Sequence, residues 1–244
     1  MSLRKLVVKR AMSISLFLFL ALVAFYSLIH SSLFSVKEVA VTGNKVVMAG
    51  EIKALSGIVA DTNIFQIDPA RAEQAVKIHP LIKDAKVVRH LPNRIEIKVV
   101  ERKPWAVVPA GETFWIIDDC GVFIDRTESI QTVSCPVITM EGIPPKISIG
   151  QRLNEDAIGA VRDIVNNLSE LQLSQISEFH CRKDNQVYIY TLRGTEIRFG
   201  HTDRLSEKVR MIDQVLEMEQ ELSPGEALAY VDLRFKGQPV AKYR

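Results

Sequence analysis

The residues of this chain that could do chemistry are spread along 244 positions without converging. Adjacent carboxylates, the raw material of general acid–base catalysis, occur at Asp118-Asp119 and Glu155-Asp156. Neighbours in an extended segment point to opposite faces, so Asp118 and Asp119 would be poorly placed there to share a proton. Glu155 and Asp156 open a helical pattern, where carboxylates meet the positive end of the helix dipole. The five histidines, His30, His79, His90, His180 and His201, are not spaced as metal ligands, and no H-E-x-x-H occurs. His201 stands beside a helix start, a capping or solvated position. No serine sits in a G-x-S-x-G elbow, and there is no Walker loop or G-x-G-x-x-G. Cys120, Cys135 and Cys181 form no C-x-x-C and are too few for a disulfide framework. A Cys120–Cys135 bridge would suit an oxidising compartment and leave one thiol over. The expectation is no catalytic residue, no metal, no cofactor and no small-molecule substrate.

One cluster of like charge stands out: Lys83, Lys86, Arg89 and Arg94. It reads either as a binding face for phosphate or an acidic partner or as the wet side of a strand pair. A formal net charge of +2 argues against a nucleic-acid binder, which needs a dominant basic face.

These scattered groups must be carried by a scaffold, and its first element is an anchor. Ala11–Ile29 runs nineteen residues without a charge. As a helix it spans about 28 Å, close to the hydrocarbon thickness of a bilayer. It is longer than the core of a cleaved signal peptide, and no A-x-A site follows. Arg4, Lys5, Lys9 and Arg10 precede the run, and the next cation past it is Lys37. The positive-inside rule then predicts a cytoplasmic tail over 1–10, an anchor over 11–30 and everything beyond outside the cytoplasm.

The pattern past the anchor is β-α-α-β-β. Phe34–Thr42 alternates as a strand, Met48–Ser56 is helical and stops at Gly57, and Asp68 caps a Pro69-led helix to about Ile78 with Ala72, Ala75 and Val76 inward. Ile82–His90 and Arg94–Glu101 flank a Leu-Pro-Asn turn, with Ile95, Ile97 and Val99 alternating against Glu96 and Lys98. Beyond Trp105 come short strands at Trp105–Val108, Phe114–Ile117, Val122–Ile124 and Pro136–Met140. A helix capped by Asn154 is expected to run to about Leu171. Strands follow at Ile176–Cys181, Gln186–Leu192 and Thr195–Phe199. A helix capped by Thr202 or Asp203 ends at Ser223-Pro224-Gly225, and strands at Ala229–Leu233 and Gln238–Tyr243 close the chain. The fold class is α+β: one apolar helix, a first domain over 34–103, and a mixed antiparallel β domain with two helices over 104–244.

Several stretches in this order resemble the FtsQ/DivIB family. Phe34-Ser-Val-Lys-Glu-Val-Ala-Val-Thr-Gly-Asn44, Asn63-Ile-Phe65 with Asp68, His79–Ala85 and Val87–Ala106 resemble its POTRA domain. Ile117–Phe123, Gly194–Gly200 with Lys208, and Tyr230-Val-Asp-Leu-Arg-Phe235 resemble its C-terminal region. The resemblance implies a non-enzymatic scaffold of the bacterial divisome at the septum, single-pass in the inner membrane. It also implies partners of the FtsB/DivIC and FtsL type, other divisome components, and a POTRA domain used for recruitment, for which the basic residues Lys83, Lys86 and Arg89 are the candidates. It places partner binding on the last strand and its neighbours, at Tyr230, Leu233, Phe235, Gln238, Val240, Ala241, Lys242 and Tyr243. Pro239 removes one ladder donor there, which an edge strand tolerates.

Two other classes compete. A POTRA-bearing outer-membrane assembly or secretion component needs a β-barrel, and the residues past the first domain carry two amphipathic helices instead of repeated ten-residue strands. A cell-wall enzyme would need a site assembled from the scattered groups above.

Overall fold

The computed structural model describes residues 2–130, 135–144, 146–223 and 226–244, with the backbone alone for 2–11. The side chains of Arg4, Lys5, Lys9 and Arg10, and the helix-ending Pro224 and Gly225, lie outside the described residues. The chain divides into two compact units, Met1–Glu101 and Arg102–Arg244.

The first unit begins with α1 (Ser2–Ile29), whose stretch Met12–Ile29 is apolar, long enough to cross a bilayer and wholly exposed. A 3-10 turn at Ser32–Phe34 replaces the expected start of the first strand, and β1 covers only Glu38–Thr42. Then come α2 (Ala49–Ser56), α3 (Pro69–Lys77), β2 (Ile82–His90) and β3 (Arg94–Glu101). The sheet order is β1-β3-β2, with β1 parallel and β2 antiparallel to β3.

Local chemistry explains these boundaries. Gly57, at φ 66°, takes the left-handed position that ends α2. Asp68 accepts from the N–H groups of Ala70 and Arg71, and Pro69 supplies a preset φ at the first helical position. Ile52, Ala72, Val76, Ala85, Val87, Ile95 and Ile97 form the core, while Ala75 is only half-buried. A Cβ on Gly43 would lie 2.1 Å from the Val99 carbonyl oxygen, so only glycine fits the turn after β1. The next turn is held by Glu101, whose carboxylate accepts from the N–H groups of Lys45, Val46 and Val47.

The second unit opens with an antiparallel sheet of β4 (Ala106–Ala110), β5 (Thr113–Ile117) and β6 (Phe123–Thr127). It continues through β7 (Ile138–Met140), α4 (Glu155–Val165), α5 (Glu170–Ser174), β8 (Ile176–Cys181), β9 (Val187–Thr191) and β10 (Glu196–Gly200). It ends with α6 (Leu205–Glu221), β11 (Leu228–Asp232) and β12 (Val240–Tyr243). The large sheet has the order β12-β11-β10-β9-β8-β7, antiparallel except for the parallel pairs β7–β8 and β10–β11. One cross-strand row, Ala241–Val231–Ile197–Ile189–Phe179–Ile138, runs across all six strands on the core side. It packs with Ile158, Val161, Ile164, Ile212 and Leu216 of α4 and α6.

Two helix expectations need correction. The helix after Asn154 does not run to Leu171: it stops at Val165, and Ser169 starts α5 through a reciprocal capping box with Gln172. Neither Thr202 nor Asp203 caps α6. Arg204 does so at φ 52°, without a side-chain cap, while the Asp203 carboxylate accepts from the buried Lys208 ammonium at 2.8 Å.

Candidate protein-interaction surfaces

Of the paired carboxylates, Asp118 holds a turn. Asp118 and Asp119 lie in a turn and not in an extended strand. Asp118 accepts from the N–H groups of Cys120 and Val122 and from Arg102 at 2.5 Å, which holds the β5–β6 turn closed. Asp118, Asp119 and Cys120 bring three ligand-type atoms within 4.8 Å, yet the Asp118 oxygens are already taken by these donors. Glu155 and Asp156 occupy the first turn of α4. Cys120, Cys135 and Cys181 are all free thiols, so the Cys120–Cys135 bridge is not formed. Burial pushes the Cys181 thiol up to about 12, out of reach as a thiolate nucleophile at neutral pH.

The basic cluster does not share one face. Lys86 is exposed opposite Lys98 in the β2–β3 pair. Arg89 has the parity of buried Ala85 and Val87, and its guanidinium donates to the Ile67 carbonyl on the helix side. Lys83 sits within the register shift between Ile82 and Asp84. Arg94 sits 3.6 Å from Glu38 on β1.

The large sheet offers a different geometry. Its face opposite the core carries two cross-strand rows: Val240–Asp232–Arg198–Tyr188–His180–Thr139, and Lys242–Tyr230–Glu196–Tyr190–Glu178. Its charges are internally matched. Arg234 donates to Asp232 at 2.6 Å, Arg198 to Glu196 at 2.7 Å, and the Arg198 guanidinium lies 3.8 Å from the Tyr230 ring centroid. Arg182 and Arg234 both donate to the Tyr188 hydroxyl. Asp232 is held below the usual carboxylate range, mainly by its Arg234 bond and against the effect of burial. Burial first, then the Glu196 carboxylate, pushes Tyr190 up to about 12.

The two edges of this sheet differ. Along β7 lies β4: Val107 bridges Val137 in parallel and its N–H donates to the Pro136 carbonyl at 2.9 Å. Beside β12 no further strand lies among the described residues. The Arg244 N–H points inward to the Ala227 carbonyl at 2.8 Å. Antiparallel alternation therefore turns the backbone groups of Tyr243 and Ala241 outward and those of Lys242 and Val240 inward. The strand is shorter than the expected Gln238–Tyr243, because Gln238 and Pro239 precede its first ladder pair. Val240 and Tyr243 are 56% and 54% exposed, and Phe235, Gln238 and Lys242 are exposed too. Tyr230 is half-buried under Arg198. Leu233 corrects the expected contact set: at 1% exposure it belongs to the core.

The family model for the FtsQ-type POTRA domain matches residues 34–102. The model for the C-terminal region of the cell-division protein FtsQ/DivIB matches residues 106–234. The chain belongs to the FtsQ/DivIB family of cell-division proteins. DivIB of Clostridium tetani is 27% identical over 214 residues, covering 85% of this chain and 78% of the relative. FtsQ of Syntrophotalea carbinolica is 29% identical over 199 residues, covering 75% and 66%. A solved extracytoplasmic domain of DivIB from Geobacillus stearothermophilus covers 50% of this chain and 98% of its own, at 19% identity and a TM-score of 0.32. The FtsQ/DivIB C-terminal match stops at Arg234, so β12 lies beyond it and must be judged on its own geometry. Sequence patterning had not singled out the paired face of Arg182, Tyr188, Arg198 and Arg234. The alternation in Val187–Thr191 and Glu196–Gly200 carried that signal.

Proposed function

We propose that this cell-division protein is a non-enzymatic scaffold that hands a strand edge to a partner. It is held in the bacterial inner membrane by α1, with its N-terminus cytoplasmic and both domains outside, and acts at the division septum. The observation that carries the reading is the asymmetry of the large sheet: one edge is closed by β4, while β12 presents outward backbone groups beside exposed Val240 and Tyr243. Such an edge takes an incoming strand by β-augmentation, backbone bonds giving affinity and flanking side chains giving choice. The family suggests the occupant, a single-pass division protein of the FtsB/DivIC type together with its FtsL-type companion. On the first domain, Lys86 remains the best-placed of the three basic residues for a recruitment contact.

Pulldown from membrane extract tests the reading. The full chain should retrieve the FtsB/DivIC-type protein, and a chain lacking residues 238–244 should not, while its first domain stays folded. Retrieval undiminished by the truncation would move the site elsewhere. An alkaline phosphatase fused after Arg244 should be active, and an inactive fusion would reverse the topology.

A further inference from the structure

The end of the first domain nearest α1 is built as though it rests on a surface. Asn63, on the loop between α2 and α3, donates its amide to the Ile29 carbonyl at 2.7 Å. Ile29 is the last residue of α1, one of the terminal carbonyls left without an intrahelical partner. The same loop is sewn to the segment leaving the helix: Ser35 bridges Asn63, the Ile64 N–H donates to Phe34, and the Val36 N–H donates to Thr62. One turn before the helix end lies Tyr26, a residue type enriched at membrane–water boundaries, stacked on His30 with ring centroids 4.1 Å apart. Leu33 at 52% exposure and Phe65 at 44% stay out of the core here, the latter against Phe34 with centroids 5.1 Å apart.

We infer that Leu33 and Phe65 form a lipid-contact surface, with which the first domain rests in the headgroup region beside its own anchor. The inference rests on the proposal that α1 spans the membrane. A scattered exposed phenylalanine is ordinary on a soluble protein. Here, however, Phe65 is two residues from the side chain that caps the membrane helix, so its depth is set by that helix and not by chance. An apolar ring so placed gains by entering the interfacial layer. The exposed charges of the same segments, Lys37 and Asp61, limit it to shallow contact. Asn63 is the positioning residue.

Photo-crosslinking of the full chain, in vesicles of phosphatidylethanolamine and phosphatidylglycerol, tests this. Benzoylphenylalanine is placed singly at Phe19 in α1, at Phe65, and at Val46, which is exposed in the turn after the far end of β1. Lipid-mass adducts are expected at 19 and 65 and not at 46. Adducts at 19 without any at 65, equal labelling at 46, or only protein adducts at 65 would each overturn the inference while sparing the anchor. Absence of lipid adducts at 19 would instead sink the membrane-spanning reading, and the inference with it. Asn63→Ala should reduce lipid labelling at 65 several-fold and leave labelling at 19 unchanged. Unchanged labelling at 65 would overturn the role of Asn63.

Discussion

The two edges of the six-stranded sheet have opposite fates. β7, with Ile138 in the core, is covered by β4 through the Val107–Pro136 bond. β12, with Ala241 against the core, has no further strand beside it among the described residues. Side chains therefore explain the fold at both edges, and backbone exposure separates the closed edge from the open one. Substitutions that act on backbone groups should separate stability from binding more sharply than those that trim side chains.

The largest effect should come from Ala241→Pro. It removes an N–H that faces outward, so partner retention in a pulldown should be lost while the thermal midpoint of the isolated second domain hardly moves. Lys242→Pro, one residue on, removes an inward donor and should lower both. If Ala241→Pro still binds at wild-type affinity, the edge is not where the partner pairs.

The mirror experiment is at the closed edge. Val107→Pro deletes the donor to Pro136 and strands a carbonyl, and should cost about 1–3 kcal/mol in urea unfolding. Binding of the protein that remains folded should persist. Equal loss of binding from both prolines would erase the distinction between the edges.

Smaller effects should sharpen it. Tyr243→Ala removes an exposed aromatic beside the ladder and should weaken partner affinity about tenfold, roughly 1.4 kcal/mol by calorimetry. Asp232 should show itself in pH dependence. Its carboxyl sits below its ordinary value of about 3.9, so its contribution to stability is present above that pH and is lost as pH falls through the folded value. Thermal midpoints should therefore drop in acid for the native chain and less steeply for Asp232→Asn, and equal slopes would discount the Arg234 pair. Lys242→Ala should change stability by less than about 0.5 kcal/mol and binding only mildly.

Much of the fold was legible in the residues. Ile95, Ile97 and Val99 alternate cleanly, and β2 and β3 fall where that alternation and the Leu-Pro-Asn turn put them. The break between α4 and α5 was not, because Ile158, Val161, Val165 and Leu168 keep helical spacing across it and only Ser169 with Gln172 betrays a new start. The left-handed Arg204 before α6 could not be foreseen, since Asp203 looks like a cap until Lys208 is seen to claim it. Leu233 shares the inward parity of Val231, which puts it in the core and not on the contact surface. That β12 ends up at the sheet border, with β7 shielded, depends on strand order. Strand order pairs residues far apart in the chain, such as Ile138 with Phe179, and leaves no local trace.

Pro239 gives the open border a preference between mates. Two copies of this chain meeting antiparallel about a twofold axis through Ala241 would set Pro239 of each against Tyr243 of the other. The missing donor would then be counted twice. A foreign strand without proline meets that gap only once. Symmetry thus handicaps self-pairing relative to hetero-pairing.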